Sequence, residues 1–492
     1  MSPTLTQDAL PTLPDGLAVP PYDRSALQTG IVHIGVGNFH RAHQAVYVDR
    51  LLAEPGASDW AICGLGLRQG DARMRDVLAA QDGLYTLLTK HPDGSTDGAV
   101  VGSITDYLLA TDDAEAAVAR LAHPDTRIVS LTITEGGYNV VEATGAFDVD
   151  NPDVQHELAH PDEPRTVYGF LAAALQRRRD AGIRPFTVMS CDNVQHNGDL
   201  VRRMLLSFAA LRDDGLAAWI EREVTFPNTM VDRITPVTDP ADVRYVEDEY
   251  GVRDAWPVPC EPFLQWIVED EFCNGRPALE TVGVTFVPDV SPYEAMKLRL
   301  LNAGHSVVGL LGAVHGYDTI DACVGDPVFA AFLRRFLDVE AAPRLGAVAG
   351  VDVDAYTDSV VRRFGNPAIR DSVARICSFS SDKLPKFLLP TLRANLASGG
   401  SIDHATLVVA AWCYYSDKQA SKAGEPLDIQ DPMRDELHRA ASRTGDDVLA
   451  FVRQEAVFED LAQSEAFAER YATWVRRLYA ASDVRECMAA VG

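Results

Sequence analysis

The sequence predicts an α/β chain of two domains: a parallel-sheet domain over residues 1–290 and a mainly α-helical domain over residues 291–492. Three observations predict it. A chain of 492 residues is too long for one ordinary hydrophobic core. Residues 30 to 290 alternate short β-branched runs with amphipathic stretches, the pattern of βαβ units and a parallel sheet. After Ser291 the strand signals almost vanish and long helical periodicity takes over. No internal repeat of about 20 to 50 residues is visible.

In chain order, strands are expected at Ile31–Gly35, Trp60–Gly64, Arg127–Thr132, Pro185–Ser190 and Thr281–Pro288. Helices between them are expected at Phe39–Leu52, Ala114–Ala122 and Thr166–Ala181, where apolar residues recur at three- and four-residue intervals. The Pro- and Asp-rich run Asp232–Pro259 is expected to be an irregular surface excursion. The second domain is expected to be helical over Leu298–Val314, Pro327–Leu337, Tyr356–Phe364, Thr406–Tyr415, Asp446–Val457 and Glu465–Ala480.

The composition is globular, with 47% hydrophobic and 8% aromatic residues, and the formal charge of −27 argues against nucleic-acid or anionic-membrane partners, which need clustered positive charge. No run approaches the ~18 apolar residues of a membrane span, and the N-terminal stretch has neither a basic nor an apolar leader pattern, so a cytoplasmic location is expected. The eight cysteines stand singly without a C-x-x-C pair and read as reduced core residues. His40 and His43 have no cysteine or carboxylate cluster beside them in sequence, so no metal site is expected.

The first expected strand opens through Gly35-Val-Gly37-Asn-Phe-His40 straight into a helix. Gly35 permits a tight turn, Gly37 lets a pyrophosphate approach the backbone, and the helix N-terminus offers unpaired N–H groups. The third glycine of the dinucleotide fingerprint is replaced by His40, so helix and strand cannot approach as closely. After the second strand, Asp71 is the acidic candidate for the adenosine ribose; it can also cap the helix starting near Ala72. Arg68 nearby leaves room for a 2′-phosphate, so NAD is preferred and NADP stays open. Two further strand ends gather polar residues, Glu135-Gly-Gly and Asp192-Asn193, where either ligand binding or ordinary turn chemistry accounts for them.

The segment Ser291–His305 holds the best clue to chemistry. Ser291, Pro292 and Glu294 read as a capping box with proline at the first helical position. At about 100° per residue, Asn302 lies about 140° from Lys297, with His305 between them at about 80°, so the three polar groups can face one cavity. Flanking leucines, valines and Met296 bury the rest of the helix. A lysine there either snorkels outward or serves as a base in its neutral form, which burial in a dry cleft favours.

Taken together, Gly35–Gln44, Ser130–Tyr138, Phe186–Asn193, Phe226–Pro236 and the Lys297/Asn302/His305 helix resemble, in order, the blocks of the polyol-specific long-chain dehydrogenases/reductases. The similarity runs from about residue 28 to the last helices. The resemblance implies a Rossmann-type first domain that binds NAD through Gly35, Gly37, Asn38, Phe39 and Asp71, and a helical domain that carries the substrate and the catalytic base. It implies Lys297 as general acid/base, Asn193 and Asn302 holding the reacting oxygen, and His305 placing the substrate. Asp232, Arg375 and Lys383 would line the site, the two cations favouring a neutral lysine, and Glu135 would stand near Lys297 as a proton relay. Where family members place two adjacent acids after the second strand, this chain has Gly70-Asp71, which weakens discrimination against NADP.

The expected reaction is zinc-independent hydride transfer between NAD(P) and a polyol/ketose pair, D-mannitol and D-fructose first, by a monomer or small homo-oligomer. Alternatives are a fructuronate or tagaturonate reductase, an arabinitol or sorbitol dehydrogenase, and, more remotely, a nucleotide-binding regulator without turnover.

Overall fold

The computed structural model describes residues 2–141 and 144–491. The chain divides into two compact units, one of residues 1–91 and 95–291, the other of residues 92–94 and 292–492.

The first unit is built on a five-stranded sheet of β1 (Thr29–Ile34), β2 (Ala61–Gly66), β3 (Ile104–Leu109), β4 (Ile128–Leu131) and β5 (Thr187–Ser190). The strand order is β5-β4-β1-β2-β3 and every pairing is parallel. Helices cover both faces, which is why these strands are nearly continuous apolar runs. Val32, Ile34, Val129 and Leu131 pack with the helices Ala114–Ala122, Val167–Asp180 and Asn197–Arg212, while Ile31, Ile62 and Ile128 pack with Gln44–Leu52 and Ala72–Ala80 on the other side. The order reverses between β1 and β4, the place where open α/β sheets bind ligands at their carboxyl ends.

Two smaller sheets complete the unit. A four-stranded sheet holds the antiparallel hairpin Tyr85–Lys90/Thr96–Val101, flanked by Leu17–Ala18 and Val258–Cys260. A three-stranded sheet pairs Thr229–Asp232 antiparallel with Gln265–Glu269, which runs parallel to Thr285–Val287. The hairpin and β3 lie where the sequence suggested no strand. The expected strand at Thr281–Pro288 is shorter, because a 3-10 turn, Leu279–Val282, ends at Gly283 with φ +103°.

The Asp232–Pro259 run is not an irregular excursion. It contains the helix Pro240–Tyr250, started by the Asp239 carboxylate, which accepts the Ala241 and Asp242 N–H groups at 2.5 and 3.1 Å, and ended by left-handed Gly251. The Pro and Asp residues that looked like loop punctuation are its caps. The expected helix Phe39–Leu52 is broken at His43 (φ −122°, ψ −91°) into α1 (Asn38–Ala42) and α2 (Gln44–Leu52).

The second unit is built from helices. The segment expected as one helix opens as α3 (Ser291–Lys297), passes through a π-turn at Leu298–Asn302, and continues as α4 (Ala303–His315). It is followed by α5 (Val353–Phe364) and α6 (Val373–Cys377) among others. Close packing of α6 on α4 requires Gly309, where a Cβ would sit 2.7 Å from Ile376. The expected helix Asp446–Val457 is not continuous. The Asp447 carboxylate takes the Leu449 N–H at 3.2 Å and the Arg453 guanidinium, so only the short turns Phe451–Arg453 and Glu455–Phe458 form. A side-chain acceptor here competes with the helical ladder. No helix is long and apolar enough to cross a membrane, among the described residues.

Candidate active site

At the switch point of the first unit lies a cleft of about 740 Å³, lined by residues that follow each of the first four strands: Gly35 and Gly37 after β1, Arg68 and Asp71 after β2, Thr111 after β3, and the Thr132–Gly137 turn after β4. Gly35 has φ +93°, and a Cβ there would stand 2.1 Å from the Thr132 carbonyl, so the turn admits only glycine. Gly37 is different. It is extended, and a Cβ would meet nothing closer than the Gly35 carbonyl at 3.9 Å. The packing of the protein itself does not demand glycine there, and the bare backbone leaves room for a group such as a pyrophosphate to approach.

The missing third glycine has a physical substitute. His40 is buried and its ring lies on that of His33 from β1, centroids 3.5 Å apart at 12°. His33 in turn sits between Ser130 Oγ (2.8 Å) and Thr132 Oγ1 (2.9 Å), and Thr132 Oγ1 donates to the Gly35 carbonyl at 2.7 Å. Helix and strand are joined through stacked rings instead of backbone contact, and the same chain of contacts fixes the glycine turn.

Of the residues expected to hold the dinucleotide, Gly35, Gly37 and Asp71 line the cleft, whereas Asn38 and Phe39 are not among its walls. The Asn38 amide donates to Thr238 Oγ1 at 3.0 Å and its carbonyl oxygen accepts from Arg41 at 2.9 Å; the Phe39 ring stacks on His43. These side chains anchor the helix start. Asp71 does not cap the helix Ala72–Ala80; its carboxylate accepts the Arg68 N–H at 2.9 Å, on the cleft rim.

Also in the first unit, Glu135 lies on the short turn Thr134–Gly137 and Asn193 just beyond β5, both exposed, while Asp232 is buried at the end of its strand opposite Gln265. Asp192, which the sequence presented only as half of an Asp-Asn turn pair, is a buried carboxylate that accepts from Ile133, Thr134 and Tyr138 in the segment after β4.

In the second unit, Lys297 and Asn302 are 7% and 8% exposed, so both polar groups are held in the protein body. The helix begins at Ser291, whose N–H donates to the Asp289 carboxylate at 2.9 Å. The π-turn between the two residues was not foreseen: the Ala303 N–H reaches the Leu298 carbonyl five residues back. Uniform spacing of 100° per residue therefore does not hold from Lys297 to Asn302, and such turns concentrate at functional sites. His305 is half-buried and stacks on Phe364 of α5 at 3.8 Å and 17°. Arg375, on α6, is exposed and forked onto the buried carboxylate of Asp371 at 2.6 and 2.8 Å. Its guanidinium is thus already engaged by a carboxylate of its own unit. Lys383 Nζ donates to the Ile376 carbonyl at 3.1 Å, tying the end of that helix.

No group of three or more His, Cys, Asp or Glu side chains is arranged to hold a metal ion, among the described residues. Seven of the eight cysteines are buried and Cys273 is half-buried, all as free thiols.

Residues 29–281 match the model of the mannitol dehydrogenase Rossmann domain, and residues 289–479 that of the mannitol dehydrogenase C-terminal domain. The chain belongs to the mannitol dehydrogenase family. Within that family it is 45% identical over 462 residues to mannitol 2-dehydrogenase of Neosartorya fischeri, covering 92% of each chain, and 46% identical over 457 residues to a mannitol dehydrogenase of Saccharomyces cerevisiae, covering 92% and 91%. The solved Pseudomonas fluorescens mannitol 2-dehydrogenase, in ternary complex with NAD and D-mannitol, matches with a TM-score of 0.90 at 44% identity over 99% of both chains. A substrate-free D-sorbitol dehydrogenase matches with a TM-score of 0.91 at 37% identity, covering 99% of this chain and all of that one. The parallel sheet with a helical second part, expected from the sequence, is the architecture of this mannitol dehydrogenase family.

Proposed function

We propose that this member of the mannitol dehydrogenase family catalyses reversible hydride transfer between NAD and a polyol/ketose pair, D-mannitol and D-fructose first. The observation that carries the proposal is the burial of Lys297 and Asn302 on either side of a π-turn, in a chain whose other unit offers a cleft fitted to a dinucleotide. NAD, when bound, accepts the hydride from the alcohol carbon. The first unit binds it, with Gly35, Gly37 and Asp71 as its contacts, and the second unit supplies the catalytic base.

Lys297 in its neutral form removes the hydroxyl proton as the carbon–hydrogen bond breaks. The amides of Asn302 and Asn193 donate to the reacting oxygen and stabilise its developing charge without adding a competing one. His305, oriented by Phe364, places the substrate, with Asp232, Arg375 and Lys383 as further lining residues and Glu135 as proton relay. In this scheme the lysine and the amides do the work that zinc does in metal-dependent alcohol dehydrogenases. The acidic rim residue Asp71 favours NAD, because a carboxylate repels a 2′-phosphate.

The commitment of Arg375 to Asp371 supports a polyol over a uronate, since a uronate carboxylate calls for an arginine with its fork available. Sorbitol is the second polyol, on the strength of the D-sorbitol dehydrogenase likeness. The enzyme works in the cytoplasm as a monomer or small homo-oligomer. Initial rates with mannitol, sorbitol, arabinitol, fructose and fructuronate, each with NAD(H) and NADP(H), test the proposal. Highest kcat/KM for mannitol or fructose with the NAD pair is expected; preference for fructuronate, or no turnover despite NADH binding, rejects it.

A further inference from the structure

The carboxylate of Asp192, 8% exposed just beyond β5, takes no part in the roles assigned above. One of its oxygens accepts the Thr134 N–H at 3.0 Å; the other accepts the Ile133 N–H at 2.9 Å and the Tyr138 hydroxyl at 2.8 Å. The Tyr138 hydroxyl also lies 2.6 Å from Ser190 Oγ. The clasp is itself anchored, because Asn197 Nδ2 donates to the Asp192 carbonyl and to the Thr229 carbonyl, each at 3.0 Å.

What Asp192 holds is the turn after β4. Ile133, Thr134, Gly136 and Gly137 all line the dinucleotide cleft. Thr134 stands in the left-handed region at φ +58°, a conformation that a β-branched residue adopts only when its surroundings impose it. Two adjacent backbone N–H groups aimed at one carboxylate supply that constraint, from a residue 58 positions away in the chain. This is not the local turn chemistry in which an aspartate bonds its own backbone two residues on.

The arrangement works against folding stability at neutral pH. Burial raises the Asp192 carboxyl to about 6 despite its donors, with the charge of Glu135 adding to the effect. A group kept ionised against its burial marks a place where local stability yields to function.

We propose that Asp192 is a positioning residue for the dinucleotide: its carboxylate holds the Ile133–Gly137 turn in the strained form that walls the cleft and so sets cofactor affinity. This rests on the dinucleotide role of the cleft proposed above. The titratable groups facing Asp192 are Glu135 and Tyr138 in the segment after β4, Tyr168 on the helix behind it, and Cys191 next to it in the chain. Burial pushes both tyrosines and the thiol upward, away from neutrality, whereas it brings Asp192 to about 6.

The test is fluorescence titration of the full-length protein with NADH, from pH 8 down to about pH 5.5, for the wild type, D192N, E135Q and D192N/T134G. Wild-type Kd should be constant above about pH 7 and weaken as pH falls through about 6, a dependence that E135Q keeps. D192N should weaken Kd about tenfold at pH 8 and abolish the pH dependence, with a smaller change in kcat at saturating NAD. D192N/T134G should recover most of the affinity, because glycine adopts positive φ without a clasp. A flat wild-type titration, loss of the pH dependence in E135Q, wild-type affinity in D192N, a fall in kcat at unchanged Kd, or no recovery in the double variant overturns the proposal. If D192N does not fold, the wild-type and E135Q titrations decide. Absence of NADH binding by the wild type at every pH rejects the dinucleotide cleft itself, whereas tight but pH-independent binding rejects only the role of Asp192.

Discussion

The His40 ring stacks on the His33 ring, 3.5 Å between centroids and 12° between planes, and through that contact the first helix after the glycine turn is fixed to the central strand. Both rings are fully enclosed, and neither nitrogen of His40 has a protein hydrogen-bond partner among the described residues.

Acid sensitivity follows from this pair. Burial pushes His33 down to about 3, and burial with repulsion from His33 and Arg41 holds His40 well below its ordinary value. Unfolded histidines titrate near 6.5, so below that pH the unfolded chain binds more protons than the folded one. The stability contributed by the neutral pair is therefore complete above about pH 6.5 and is lost as pH falls toward 3, on the order of 5 kcal/mol for His33 alone. Asp192 works with the opposite sign, so the comparison that isolates His40 is wild type against H40F. Urea unfolding at pH 7 and pH 5 should show H40F losing less stability, by roughly 1.4 kcal/mol per pH unit. Equal losses would show that His40 takes up no proton on unfolding.

Replacing the proposed base should separate binding from chemistry. For K297A, kcat should fall by about 10² to 10⁴-fold, while the NADH Kd stays within about twofold. Turnover near the wild-type level across the pH range would remove Lys297 from the chemistry. Overnight dialysis against EDTA should leave wild-type activity unchanged; loss that zinc restores would point to a metal mechanism.

The two turn glycines should behave differently. G35A places a Cβ 2.1 Å from the Thr132 carbonyl at a positive φ, so it should lower Tm and abolish NADH binding together. G37A meets nothing closer than the Gly35 carbonyl at 3.9 Å and should leave Tm within about 2 °C while weakening NADH at least about tenfold. A stability loss in G37A equal to that in G35A would contradict a ligand-directed role for the second glycine.

Coenzyme choice should turn on Asp71. In D71S the kcat/KM ratio of NAD over NADP should fall by about tenfold or more, because removing the carboxylate lifts its repulsion of a 2′-phosphate while Arg68 remains on the rim. An unchanged ratio would place coenzyme selection elsewhere in the cleft.

Much of the architecture was legible because it is written in local patterns. Apolar β-branched runs, the glycine turn at Gly35 and the periodicity of Ala114–Ala122 and Glu465–Ala480 each depend on a few neighbouring residues, and each stands where the sequence put it. The hairpin Tyr85–Lys90/Thr96–Val101 was not legible, since its polar alternation becomes a strand only when a partner is present. The helix Pro240–Tyr250 was misread because its capping residues are also loop residues.

For the candidate site the division is sharper. The sequence by itself determined the chemical inventory: a glycine turn before a helix, an acid after the second strand, and a lysine, an asparagine and a histidine along one helix. Only the tertiary structure decided which of those groups are already engaged. Asn38 is bound by Thr238 and Arg41, Arg375 by Asp371, and the Thr132–Gly137 turn by Asp192, and the π-turn re-aims Asn302 relative to Lys297. Thr238 and Asp192 come from distant segments, 200 and 58 residues away, whereas Arg41 and Asp371 are near neighbours in the chain, and which of these bonds forms depends on positions in space that local sequence periodicity does not encode.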